Sequence, residues 1–161
     1  GSMIKHASGS FTRPADTTAY GSGDLIANST TAGSVAAVEC VGAGELGGDT
    51  LLHRITLRKS GTTATNANIR VHLFRADPAT VTNGDNGAIS VSGAADYLGQ
   101  FDVTSMQAFT DGCVGHVTPA NPVPIRLGAN LGSLYALLEA RAAYTPVSAE
   151  VFTVTLDVEA L

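Results

Sequence analysis

What most restricts this chain is the period of its apolar residues. Its clearest runs alternate residue by residue and are cut short by turn formers. In residues 51–59, Leu51, His53, Ile55 and Leu57 fall on one side and Leu52, Arg54, Thr56 and Arg58 on the other. Residues 68–75 alternate equally well, with Ile69, Val71 and Leu73 against Arg70, His72 and Phe74. Near the end, Phe152, Val154, Leu156 and Val158 oppose Thr153, Thr155, Asp157 and Glu159. Successive residues of a strand face opposite sides of a sheet, so this period specifies strands and cannot be laid on a helix.

Further strands are expected at 35–41, 88–92, 97–103, 112–118 and 123–127, and in a closing pair at 134–144 and 149–159. The Leu, Ala and Glu of 134–143 would also suit a helix, but no cap or glycine stop flanks them, and strand is the better reading. One helical turn is expected near 105–109. Eighteen glycines and many Ser and Thr supply the connectors. About eight short strands with regular turn signals predict an all-β fold, an antiparallel two-sheet β-sandwich of jelly-roll type, over residues 34–161. Residues 4–33 carry turn formers without a period. They read as an extended N-terminal arm with isolated apolar anchors and one short strand at 10–13. Phe11, Arg13 and Tyr20 are its candidate assembly residues. Residues 1–3 read as an expression-tag scar and the start.

Charge and motifs narrow the function. Only 14% of the residues are charged, against an ordinary ~25%, and the formal net charge is −5. No basic field is available for nucleic acid or an anionic membrane. No run approaches the ~18 apolar residues of a membrane span, and no charged start leads into an apolar run, so no signal peptide is expected. Cys40 and Cys113 lie in or beside apolar runs and read as buried reduced thiols, with a disulfide as the alternative.

Gly42-Ala43-Gly44-Glu45-Leu46-Gly47 matches the dinucleotide pattern G-x-G-x-x-G after an apolar run. The helix that must follow, and whose N-terminus would hold a pyrophosphate, has no counterpart in the alternating residues beyond Asp49. The glycines read as a loop between strands. The 83–87 run Asn-Gly-Asp-Asn-Gly offers oxygen ligands, but only Asp85 is charged and no closing acid follows, so a turn is expected rather than a calcium loop. His6, His53, His72 and His116 show no metal-ligand spacing. No serine sits in G-x-S-x-G, and neither cysteine has a nucleophile's setting. The residues specify no catalytic group, cofactor or metal, and the chain reads as a non-enzyme.

One charge pattern stands out. Residues 51–75 hold Arg54, Arg58, Lys59, Arg70 and Arg75, five of the nine basic residues, and no acid. If 51–59 and 68–75 form a hairpin, Ile55 faces Leu73 and Leu57 faces Val71. Arg54, Arg58, Arg70 and His72 then share one face, the candidate partner-contact face. The same guanidinium groups could instead pair with Asp102, Asp157 or Glu159 of this chain.

Residues 11–20, Phe-Thr-Arg-Pro-Ala-Asp-Thr-Thr-Ala-Tyr, followed by Gly23-Asp24-Leu25-Ile26-Ala27-Asn28, resemble the opening of small structural proteins of tailed bacteriophages. Val71-His72-Leu73-Phe74, Asn83-Gly84-Asp85-Asn86 and Tyr97-Leu98-Gly99-Gln100-Phe101-Asp102-Val103 are similar to later blocks of that group. The resemblance implies a virion component assembled in the host bacterial cytoplasm, of capsid decoration or cement type. It also implies homodimers or homotrimers bound to a major capsid protein or another virion protein. The runner-up is a carbohydrate- or receptor-binding module of a phage tail or fibre, against which the lack of Trp counts.

Overall fold

The computed structural model describes residues 3–78, 80–129 and 132–161, and Gly1 and Ser2 of the expected scar lie outside them. Among the described residues eleven strands follow in chain order. They are β1 (Met3–Thr12), β2 (Leu25–Ile26), β3 (Val38–Val41), β4 (Asp49–Lys59), β5 (Ile69–Phe74), β6 (Tyr97–Val103), β7 (Gln107–Phe109), β8 (Gly112–Val117), β9 (Val123–Arg126), β10 (Ser133–Ala140) and β11 (Val151–Ala160). Two single turns of 3-10 helix, Ala32–Ser34 and Ala94–Asp96, are the only helical elements among the described residues. The segment that could have been helical is strand β10, and the helical turn expected near 105–109 is the short strand β7.

The fold is all-β and antiparallel, as the alternation requires. The ladders run through one continuous curled sheet in the order β6-β5-β10-β3-β1-β11-β4-β8-β7, with β2 added to β10 and β9 to β4. Two separate sheets were expected. The ladder instead passes between the flanks through a single residue pair, Ser8 with Val41. Strands β6 and β7 stand at opposite ends of this order, yet only residues 104–106 separate them along the chain. So short a link spans about 13 Å, so the two ends of the sheet must come together. They meet where Gly115 of β8 lies against Val103 of β6.

The concave side holds the core. Ile69, Val71 and Leu73 enter it from one flank, Phe152, Val154, Leu156 and Val158 from the other, and all are buried. Each such side chain contributes roughly 1.5–3 kcal/mol relative to an exposed position. The inward set of β4 is Thr50, Leu52, Ile55, Leu57 and Lys59, so the expected grouping of Leu51 and His53 with Ile55 and Leu57 does not hold. A register shift opposite Asp157/Val158 inserts one extra residue, and this bulge turns Leu52 and Ile55 to the same side. Behind β5 and β10, Val35, Ala37, Val81, Ile89 and Val91 pack against a second small core around Leu25, Phe74 and Leu137. The strand expected at 88–92 makes only isolated bridges there, Asp24 with Ala88 and Val81 with Val91.

The N-terminal segment departs most from expectation. Residues 4–33 are built into the domain rather than laid over it as an arm. All ten residues of β1 pair with β11, from Met3 with Ala160 to Thr12 with Val151. Its inward positions include Ala7 and Gly9, small because the flanks cross closely there, so β1 lacks the apolar alternation that marks the other strands.

Candidate functional site

Arg54 and Arg58 lie on β4, and Arg70 and His72 lie on β5. The hairpin that was to join them does not form. Strand β4 pairs with β11, β8 and β9, and β5 with β10 and β6, because the 60–68 connection carries the chain to the other flank. The four residues therefore divide between two outer faces.

The first is the outer face of β1, β11, β4 and β8, where register builds three rows. His6, Asp157 and Arg54 form one, and Ser8, Thr155, Thr56 and His116 the next. Ser10, Thr153, Arg58 and Val114 form the third. Hydrogen bonds run along the rows: His6 Nδ1 to Asp157 at 2.7 Å, Arg54 Nε to Asp157 at 3.0 Å, Ser8 to Thr155 at 3.2 Å, Ser10 to Thr153 at 2.9 Å and Thr56 to His116 at 2.9 Å. Partial burial opposes ionisation of Asp157, but the bonds from His6 and Arg54 prevail and hold its carboxyl below the usual carboxylate range. Arg58 differs from its neighbours. It is exposed and makes no hydrogen bond or ion pair among the described residues. It borders a cleft of about 200 Å³ with Asp111, Val114 and the exposed apolar side chains of Phe109 (55%) and Val151 (37%).

The second face belongs to β6, β5 and β10. Asp102, Arg70 and Glu139 form one row, Gln100, His72 and Leu137 the next, and Tyr97, Phe74 and Tyr135 the third. Arg70 grips Asp102 with Nε at 2.7 Å and Nη2 at 3.2 Å, and this fork is the main cause of a lowered Asp102 carboxyl. His72 bridges Tyr97 Oη at 2.9 Å and Glu139 Oε1 at 2.7 Å, and Arg141 donates to Glu139 Oε2 at 2.6 Å.

The three candidate assembly residues point inward. Phe11 stacks on Phe152 with ring centroids 5.6 Å apart. Arg13 is buried and donates to Tyr20 Oη (2.8 Å), Asp16 O (2.6 Å), Val147 O (3.0 Å) and Asp16 Oδ1 (2.9 Å). Tyr20 in turn donates to Asp85 Oδ1 at 2.6 Å, which also accepts Ala27 N at 2.9 Å. Burial raises the Asp85 carboxyl above its ordinary value. This buried polar group was not foreseen: its members are scattered along the chain, and no local spacing announces them. It also fixes the role of the 83–87 loop, whose only acid is turned inward to fasten the N-terminal segment.

The remaining motifs have structural places. Gly42 (φ +91°) and Gly47 (φ +68°) shape the loop from β3 to β4, and a strand follows it, not a helix. His53 meets Glu159 at 3.0 Å. Cys40 and Cys113 are free and buried, and burial pushes the Cys40 thiol up to about 12. Among the described residues no three His, Cys, Asp or Glu side chains are placed to hold a metal ion, and no helix is long and apolar enough to cross a membrane.

No family model matches the chain, nor does any curated protein. Solved structures similar to it include the capsid asymmetric unit of cyanophage Pam1, at 13% identity over 100% of this chain and 86% of that one, with a TM-score of 0.34. The acidic-stable capsid of Helicobacter pylori bacteriophage KHP30 is similar at 10% identity over 100% and 94%, with a TM-score of 0.32. Murine APRIL is similar at 12% identity over 94% and 99%, with a TM-score of 0.30. Likeness at this level leaves the role to be read from the chain's own residues.

Proposed function

We propose that this chain is a non-enzymatic virion structural protein, a capsid decoration or stabilisation protein that acts through protein–protein contacts as a homo-oligomer. The observation that carries the reading is the Arg58 cleft. An exposed arginine without a partner among the described residues stands beside exposed Phe109 and Val151 at the edge of a cleft. Arginine and aromatic side chains around a pocket are the usual energetic centre of a protein interface. The rows of Ser8, Ser10, Thr153 and Thr155 beside it are short and mutually hydrogen-bonded, so a partner can lie flat on them with little side-chain ordering. The resemblance of residues 11–28 to tailed-phage structural proteins supplies the kind of partner. Repeated weak contacts on a symmetric shell add up to firm attachment.

The test is solution mass by light scattering, alone and with tailed-phage capsids assembled without this protein. The expected results are an oligomer in solution and a fixed copy number per shell. Arg58→Glu and Phe109→Ser should each weaken capsid binding about ten-fold or more with an unchanged melting temperature. A monomer indifferent to capsids overturns the reading.

A further inference from the structure

The second outer face carries a different kind of site. We infer that the groove between β5, β6 and residues 89–94 binds a neutral saccharide. The groove has a volume of about 380 Å³ and is lined by His72, Phe74, Ile89, Val91 and Tyr97 among others. That size, with an apolar lining and few polar groups, is typical of a small-molecule site.

A pyranose ring offers an apolar C–H face and a girdle of hydroxyls, so its receptor needs a flat ring beside planar hydrogen-bonding groups. Tyr97 supplies the ring. It is 39% exposed, tilted against Phe74 at 5.3 Å, and held at its hydroxyl by His72. The platform is thus fixed before any ligand arrives, and little entropy is lost on binding. The polar groups follow along the strands. Gln100 is exposed and makes no hydrogen bond among the described residues. One pleat repeat further, about 7 Å, lies the half-exposed Asp102–Arg70 fork, whose carboxylate oxygens and outer guanidinium nitrogen keep hydrogen-bonding capacity.

Charge selects the class of sugar. In the polar row the two arginines, Arg70 and Arg141, are matched by the two acids, Asp102 and Glu139, in direct ion pairs. Within that row no guanidinium is left unpaired to favour a phosphate, sulfate or sialic carboxylate. Gly93, next to the lining residue Ala94, has a φ of +138°, and an added β-carbon there would stand 3.2 Å from the Phe74 ring, so a larger residue would crowd the groove's floor. The site is separate from the Arg58 cleft, and neither reading depends on the other.

The experiment is a glycan array carrying neutral hexose, N-acetylhexosamine and sialylated oligosaccharides, probed with the full chain, with calorimetric titration of any hit. At least one neutral glycan should bind. Tyr97→Ala should weaken it about ten-fold or more, Tyr97→Phe should keep most of the affinity, and Gln100→Ala should weaken it several-fold. The exposed Gln100 can be changed without disturbing the core, which guards against misreading an unfolded Tyr97 variant. Absence of any neutral hit, hits confined to sialylated glycans, or binding lost in Arg58→Glu but retained in Tyr97→Ala would each overturn the inference. None of these results bears on capsid attachment.

Discussion

Two glycines sit where the flanks of the sheet approach most closely. At Gly9 an added β-carbon would overlap the carbonyl oxygen of Glu39 and stand 2.8 Å from Val38 Cγ1. At Gly115 it would stand 2.5 Å from Val103 Cγ1 and 2.7 Å from Ser105 O. Backbone atoms inside a sheet cannot step aside, so Gly9→Ala should cost roughly 3 kcal/mol and Gly115→Ala about 1–2 kcal/mol, because part of its clash falls on a side chain. Urea denaturation midpoints would show both losses. A second prediction at this scale concerns Asp102. With its carboxyl lowered chiefly by Arg70, the folded protein protonates it later than the unfolded chain does as pH falls. The stabilisation is complete above the ordinary carboxylate pKa of about 4 and disappears as pH drops through the lowered value. Asp102→Asn should therefore lose less stability than the parent on acidification, seen as a smaller fall in urea midpoint at low pH.

At the scale of elements, a buried ion pair ties the end of β4 to the start of β11. Lys59 Nζ reaches Glu150 Oε2 at 3.2 Å and Thr63 O at 2.7 Å, both side chains fully enclosed, and Tyr144 Oη donates to the other carboxylate oxygen. Tyr144 stacks on Tyr20 at 6.3 Å, which joins this pair to the Arg13–Tyr20–Asp85 group. Lys59→Met should cost about 3–5 kcal/mol because it strands the Glu150 carboxylate in the core. The double change Lys59→Met with Glu150→Gln should cost less than the single one, measured again by denaturant unfolding. Such pairings explain which parts of the fold were legible. Strands β5 and β11 announce themselves, because a strand with one buried face must alternate. Strand β1 does not, since close crossing demands small residues at Ala7 and Gly9. Pairing of β4 with β5 was the natural assumption from adjacency, yet the 60–68 segment is a crossover that only tertiary packing dictates. The same holds for the sites. The intrachain partners Asp157 and Asp102 were nameable for Arg54 and Arg70, since few acids could serve. The inward turn of Arg13 and the grouping of Tyr97, Gln100 and Asp102 required the register.

The whole molecule presents two unlike outer faces on one curled sheet. The β1-β11-β4-β8 face is polar and edged by Arg58 and Phe109, while the β6-β5-β10 face is partly covered by Val81, Ile89 and Val91. Attachment to a shell through the first would leave the second turned outward. The pairing of β1 with β11 also has a temporal side. Strand β1 has no partner on one edge until β11, far along the chain, has been made. Until then, Met3–Thr12 waits with the backbone groups of that edge unmatched, a template for any other extended segment nearby. Closure between segments so distant in sequence is slow, since the loop entropy is lost before the contacts repay it. The domain therefore completes itself only once β11 has been made, and is most vulnerable to aggregation in the interval before that.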